Sequence, residues 1–402
     1  MRRRRRDTAM RVRRRDQLIC RWDRDALMIA LPGERRWLRV TPDLLSLLQL
    51  LDDFTDVEKV AAHFGGDAAD AATRAVQQLR DAGILVADTD DVDTPPVWQH
   101  WGPIAARLHT EARDANYLVD SPHRDATAVQ IAADGEPPAP FKRYPHAPAV
   151  HLPRRTLPLR TPVEEVFAAR RTHRAFAGTP VGVDALATVL ACTFAPQRVL
   201  DGGAFGPQQG RISASAGGRH EVECYVAVFD VSGVPPGLYH YAPQVHRLEL
   251  LDATVDRQRI AGLVYEQEPS YQGAFTCLTT TVAARLSWKY RHPRAYRLWM
   301  FDAGHYGQTF ALTCTALGLA PFQTVAFHDS RVEAMLGVDP DHEFATYLLS
   351  AGNPAPGGGA PPALPQHPPP TGLAASAHRS PADPAPPGDP AVTGRRRAHP
   401  AP

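Results

Sequence analysis

Six consecutive apolar residues, Cys224-Tyr225-Val226-Ala227-Val228-Phe229, constrain this chain more than any other feature. The run is too short for a buried helix and is apolar at alternate and intervening positions alike. It therefore reads as a strand buried on both faces. Pro235-Pro236-Gly237 makes a turn into Leu238-Tyr239-His240-Tyr241, and His246-Arg247-Leu248-Glu249-Leu250 follows as another strand. An apolar strand is expected from Phe275 to Leu286. Helical patterns flank these strands. One runs from Asp184 to about Phe194. A long one, Ala295 to Leu317, is apolar on most faces, with Gly304 and Gly307 permitting close packing, and reads as central or as a subunit-interface helix. Residues 159–353 are thus expected to form an α+β unit.

With 402 residues, 44% of them hydrophobic, the chain can hold two or three domains and a packed core. No stretch of about 18 apolar residues exists, which excludes a transmembrane helix. The five cysteines are far apart and include no CxxC pair. That argues against a zinc ribbon, a redox dithiol or a disulfide framework, and fits a reducing cytoplasm. Residues 1–15 carry nine Arg and one Asp, so a net charge of +1 leaves the remainder at −7. The body is acidic and unlike a nucleic-acid binder, and residues 1–15 are expected to be a basic disordered arm. Residues 16–88 read as a winged-helix-like module. It has strand-like runs Leu18–Trp22, Ala26–Ala30 and Trp37–Val40, a turn at Pro32-Gly33, and a helix capped by Thr41-Pro42. A Thr55–Glu58 capping box opens a second helix, and a third ends at Gly83 before the strand Ile84–Val86. Residues 89–158 are expected to be a connector, with one helix from Trp98 to about Asn116 presenting Trp98, Trp101, Ile104 and Leu108 on one face, then a loose Pro- and Ala-rich stretch. The tail 354–402 holds 15 of the 39 prolines and almost no large apolar residue, so it is expected to be disordered.

Candidate chemistry lies within 159–353. Arg170-Arg171-Thr172-His173-Arg174 places three guanidinium groups and a hydroxyl within five residues, a compact anion site. In Ser213-Ala214-Ser215-Ala216-Gly217-Gly218-Arg219-His220 the small residues let the backbone approach a flat ligand. Of 44 basic residues only Lys59, Lys142 and Lys289 are lysine, so a lysine here is a specific choice. Lys289 and Tyr290 can both exchange a proton, which arginine cannot. No GxxxxGK[ST], strand-linked GxGxxG or GxSxG motif occurs. His292 and His305, 13 apart, suggest no metal motif, and His305 reads as a satisfied core histidine.

The Arg-Arg-Thr-His-Arg-x-Phe opening, the Ser-Ala-Gly-Gly before a strand, Gly-Leu-Tyr-His-Tyr, and Lys289-Tyr290 ahead of Arg294-Ala295-Tyr296-Arg297 resemble the FMN-dependent nitroreductases. More narrowly they resemble the SagB-type, azoline-oxidising dehydrogenases of thiazole/oxazole-modified peptide maturation. The resemblance covers roughly 159–353. It implies a nitroreductase-like fold and FMN as cofactor. Arg170, Arg171, Thr172 and Arg174 would contact its phosphate and ribityl chain, and Ser215, Ala216 and Gly217 would lie beside the ring. The backbone of Leu319–Thr324, with Gln323 and Thr324, would lie near its reactive edge, and Lys289 and Tyr290 would be the catalytic pair. It further implies a homodimer, a precursor peptide whose leader is bound by the amino-terminal module, and a cyclodehydratase partner. Two departures from the pattern are Thr172 in place of the usual Ser and Glu221 where Pro is common. A third is the lack of a basic residue just after Asn353 to complete a phosphate site. The expected function is oxidation of thiazoline or oxazoline to azole in the cytoplasm. The alternatives are a general NAD(P)H-dependent nitro or quinone reductase and a non-catalytic peptide-binding scaffold.

Overall fold

The computed structural model describes residues 10–31, 33–90, 95–115 and 121–357. Most of the expected basic arm, Pro32, the end of the first connector helix at Asn116 and nearly all of the expected tail lie outside the described residues. The centre of the molecule is a seven-stranded antiparallel sheet in the order Ala320–Thr324, Glu343–Gly352, Phe275–Val282, Val222–Val228, Gly237–Ala242, Arg247–Asp252, Ala149–His151. The strand Val222–Val228 is fully buried, as the apolar run requires. Its pleat sends Cys224, Val226 and Val228 into one core, with the helix Val183–Phe194 and residues Tyr306, Phe310 and Cys314 of the helix Ala295–Ala316. Tyr225 and Ala227 point to the other side, against Val255, Ile260, Leu263, Phe327 and Leu336. Each of the large apolar side chains among them contributes about 1.5–3 kcal/mol by leaving water.

The connector differs from expectation. Rather than staying loose to Pro158, it supplies the edge strand Ala149–His151 and an unexpected helix, Ser121–Ala133, whose Ile131 is fully buried. Residues 139–144 are bound to the main domain by side chains from distant elements. Arg285 donates to the Ala139 carbonyl at 2.9 Å, Lys142 Nζ pairs with Glu343 at 2.7 Å, and Tyr144 N–H donates to Glu249 at 2.7 Å. The α+β unit therefore begins well before residue 159. It also extends past 353, because Pro354 bridges to Phe176. The first connector helix, Pro96–Glu111, is broken at Gly102, and its Trp101 and Ile104 face outward at 68% and 72% exposure. The expected apolar face is thus not a core face.

The amino-terminal module has three helices, Leu44–Leu50, Val57–Phe64 and Gly66–Asp81, followed by the strand Leu85–Ala87. Its strands form two sheets, one of which holds Ile19–Asp23, Ala26–Ala30 and Trp37–Val40. In the other, Arg11–Arg14 lies between Thr55–Asp56 and Leu85–Ala87. This corrects the expected boundary of the basic arm. Val12, fully buried, is the inward residue of an otherwise charged strand, and Arg13 turns outward to Asp16 at 2.9 Å. Two caps also move. Thr41 and Pro42 form a turn before the first helix, accepting from Leu44 and Leu45 N–H. Thr55 pairs in the sheet and its hydroxyl donates to the Asp53 carbonyl, so the capping box does not form.

Candidate active site

Phe275–Val282 is the strand, but Ala283–Ser287 turns helical, so the strand stops short of the expected Leu286. The helical turn continues, with Lys289 and Tyr290 N–H both donating to the Leu286 carbonyl at 3.2 and 3.0 Å. This decides the site. In a strand, adjacent side chains point to opposite faces, whereas in a helical turn they lie only about 100° apart. Lys289 and Tyr290 consequently converge on Gly217. A Cβ there would meet Tyr290 Oη at 2.6 Å and Lys289 Nζ at 2.8 Å. Gly217 also has φ +61°, in the left-handed region that favours glycine. Lys289 is half-buried, its Nζ 5.7 Å from the Phe205 ring centre. Burial pushes its pKa below the ordinary lysine value, and the positive charges of Arg219 and Arg124 add to that.

Arg219 was not among the expected site residues. It is buried, and its guanidinium donates to the carbonyls of Arg285, Phe205 and Pro207 at 3.0, 2.6 and 3.2 Å. Neutral carbonyls satisfy its donors without cancelling its charge. The small-residue turn, Ser215–Gly218, is pinned from below. Ala216 N–H donates to both oxygens of Asp302 at 3.0 and 3.2 Å, and His220 N–H donates to Ser215 Oγ at 2.9 Å. The His220 ring is buried between Tyr306 Oη at 2.7 Å and the Gln209 carbonyl at 2.9 Å. Burial, then Arg211, lowers its pKa to about 3, so it is neutral near pH 7. The carbonyl can only accept, so Nε2 carries the proton and Nδ1 accepts from Tyr306. His305, by contrast, is exposed and 3.8 Å from Asp302, not the core histidine expected.

The arginine segment leaves the helix Val163–Ala169 and runs beside the strand Ala320–Thr324, where His173 N–H donates to the Pro321 carbonyl at 3.0 Å. Arg170 and Arg174 are exposed and form no ion pair among the described residues. With Arg171 and Thr172 between them they fit an anionic group such as phosphate. The side chains of Gln323 and Thr324 are engaged within the protein. Gln323 donates to the Gly307 carbonyl and accepts from Tyr347 Oη, and Thr324 Oγ1 accepts from Ala326 N–H. What this strand can offer a ligand is chiefly backbone.

The expected residues thus fall into two groups. Ser215, Ala216 and Gly217 stand with Lys289 and Tyr290, while Arg170–Arg174 stand with Gln323 and Thr324. No hydrogen bond or ion pair among the described residues joins the groups directly. Both are tied to the helix Ala295–Ala316, at Asp302 and Gly307, about 7.5 Å apart along its axis. Asp302 and Arg219 escaped sequence reasoning because each acts on residues far away in the chain. Arg219 stands in the small-residue segment and Asp302 in an Asp302-Ala303-Gly304-His305 stretch that forms part of the family resemblance, but neither pointed to its partner.

Residues 167–353 match the Nitroreductase family. Among curated proteins, the trifolitoxin-processing protein TfxB of Rhizobium leguminosarum bv. trifolii is 35% identical over 33% of this chain and 36% of its own length. A Methanocaldococcus jannaschii protein that carries the name nitroreductase is 28% identical over 47% of this chain and 90% of its own. Among solved structures, an Anabaena variabilis protein titled as a nitroreductase superposes with a TM-score of 0.49 at 22% identity, covering 67% of this chain and 50% of its own. The chain spans about a third of the trifolitoxin relative and most of the archaeal one. The chain therefore carries a nitroreductase-family domain over residues 167–353.

Proposed function

We propose that this protein is an FMN-dependent dehydrogenase that oxidises thiazoline or oxazoline rings of a ribosomally made peptide to azoles. The observation that carries this reading is the convergence of Lys289 and Tyr290 on Gly217, beside the charge of Arg219. Aromatising such a ring removes one proton and one hydride from carbon. FMN, when bound, supplies the hydride acceptor. The proton falls to the protein, and Lys289, made less basic by burial and two arginines, can take it. Tyr290 stands within reach of the same point and can hold the ring or pass the proton on. Arg170, Arg171, Thr172 and Arg174 would bind the phosphate, and the Ser215–Gly217 turn would admit the flat ring. Likeness to a protein named for trifolitoxin processing supports a place in peptide maturation.

The amino-terminal module has a groove of about 310 Å³ between the edge strand Trp37–Val40 and the helix Gly66–Asp81, lined by Leu38, Val40, Leu44, Ala75 and Leu79. An extended leader peptide could add there as a strand. A second copy of this chain would cover Leu159, Val163, Phe167 and Ile212, which line an apolar hollow of about 270 Å³, and complete a homodimer. The azoline substrate requires a cyclodehydratase upstream. All five cysteines are free, and among the described residues no helix is long and apolar enough to cross a membrane. The reading places this chemistry in the cytoplasm and needs no nucleic-acid partner.

Lys289→Arg tests the proposal. The variant should stay yellow and oxidise an azoline peptide at least about a hundredfold more slowly, since guanidinium keeps the charge but cannot act as a base. Near-normal turnover would overturn the proton-transfer role. Peptide-independent reduction of a nitroarene by NADPH at a comparable rate would favour a general reductase. Bound flavin without turnover of either substrate would favour a scaffold.

A further inference from the structure

We propose that Glu221 and Asp302 act as a carboxyl pair sharing one proton, and that this pair positions the Ser215–Gly218 turn against Lys289 and Tyr290. The proposal rests on reading those two as the reacting pair, whereas its test needs no substrate, so the two can fail separately. Nothing in the chemistry above uses Glu221. It is fully buried, and no donor of another described residue reaches either of its oxygens. Its charged neighbours are Asp302, from the helix Ala295–Ala316, Arg285, from Ala283–Ser287, and the buried Arg219, whose donors are taken by carbonyls. Arg285 is already paired with Glu223, on the strand that begins just after Glu221, at 2.6 Å. Around Asp302 stand Ser215, the Ala216 N–H, and the exposed His305 at 3.8 Å. Tyr306 Oη, held by Arg211 and His220, closes the same space.

Two neighbouring carboxylates in so dry a place do not both ionise. Burial first, and the Asp302 charge second, push Glu221 up to about 8, and burial raises Asp302 as well. A protonated Glu221 has one donor, and Asp302 is the acceptor facing it. Asp302 then keeps the negative charge that draws both its oxygens onto the Ala216 N–H. Ala216 precedes Gly217, the residue on which the lysine and tyrosine rest. Losing the shared proton sets two negative charges against each other beneath the turn and releases it.

The sign of the pH dependence follows from linkage. Opening returns Glu221 to its ordinary range near 4.5, so the open turn sheds a proton that the closed turn keeps. Closure therefore weakens by about tenfold per pH unit as pH rises toward 8, then levels off. His220 carries the opposite sign, but above its ordinary value of 6.5 it adds no more than about a factor of two. Between pH 6.5 and 8 the slope is dominated by the proton shared by Glu221 and Asp302.

The experiment is hydrogen exchange by mass spectrometry on the full chain, following a peptide over residues 213–221 and one over Phe275–Val282 from pH 6.5 to 8. Rates are corrected for intrinsic base catalysis. Protection of the turn in the unmodified protein should fall by about tenfold or more across the window while the strand stays protected. Glu221→Gln, which keeps shape and a donor without a titrating proton, should flatten that fall. Asp302→Ala, which removes the acceptor, should leave the turn poorly protected at every pH. A flat profile in the unmodified protein, an unchanged slope in Glu221→Gln, or joint loss of protection in turn and strand would overturn the proposal.

Discussion

Gly217 concentrates the residue-scale argument. Its φ of +61° already disfavours any side chain, and a methyl group would meet the Tyr290 hydroxyl and the Lys289 ammonium well inside contact distance. Gly217→Ala should cost about 1–2 kcal/mol from backbone strain. Differential scanning calorimetry should show this as a fall in Tm of a few degrees. Displacing the lysine and tyrosine by about an ångström should lower kcat on an azoline substrate by about a hundredfold, more than the loss of stability explains. Equal kcat in the variant would show that the two side chains do not need this seat. The lysine was legible in the sequence because the chain otherwise supplies its positive charge as arginine. Arg219, Glu221 and Asp302 were not. Their roles depend on burial and on partners tens of residues away, and composition carries no trace of either.

At the scale of elements, what could be read depended on whether one segment's pattern was enough to specify it. The run Cys224–Phe229 is a strand because no other local structure buries six apolar residues so briefly, and the strand Val222–Val228 contains all of it but its last residue. The stretch after Val282 was misread because Ala283-Ala284-Arg285-Leu286 is apolar enough to extend a strand yet composed of good helix formers. The difference bears on the proposed chemistry, since the helical turn lets Lys289 and Tyr290 reach the same glycine. The arginine segment is the proposed anion site, expected from its run of cationic residues. Its exposed Arg170 and Arg174, which form no ion pair among the described residues, carry a test of their own. Arg170→Ala combined with Arg174→Ala should lose most bound flavin, read as the ratio of absorbance near 450 nm to that at 280 nm. Each charge-assisted hydrogen bond lost costs about 1.5–3 kcal/mol, so two should weaken binding by at least about a hundredfold. Full flavin occupancy would remove the phosphate from this segment.

The whole molecule joins a peptide-sized groove in its amino-terminal module to a domain that carries the candidate chemistry. If the groove seats a leader peptide, Ala75→Glu should weaken binding of the full-length precursor by about tenfold or more, because the longer charged side chain fills the space between Leu38, Leu44 and Leu79. Isothermal titration with precursor and with a leaderless core peptide separates the effects. The variant should lose affinity for the first and keep its turnover of the second. Unchanged affinity for the precursor would exclude this groove as the leader site.

By itself the sequence determined the pieces that depend on local pattern. These were the doubly buried strand, the long helix, the helices of the small module, the cationic segment and the isolated lysine. Each follows from periodicity, propensity or residue chemistry within a short window. Tertiary structure decided where those pieces meet. The charged strand Arg11–Arg14 joins the module because Val12 finds a core made by residues far along the chain. The connector becomes part of the main domain because Arg285, Glu249 and Glu343 reach back to residues 139–144. The turn at Gly217 is held in place because Asp302, on the long helix, lies beneath it. In each case the deciding contact spans tens to hundreds of residues. Its energy comes from burial and charge pairing that exist only once the chain has folded, and no local pattern encodes it.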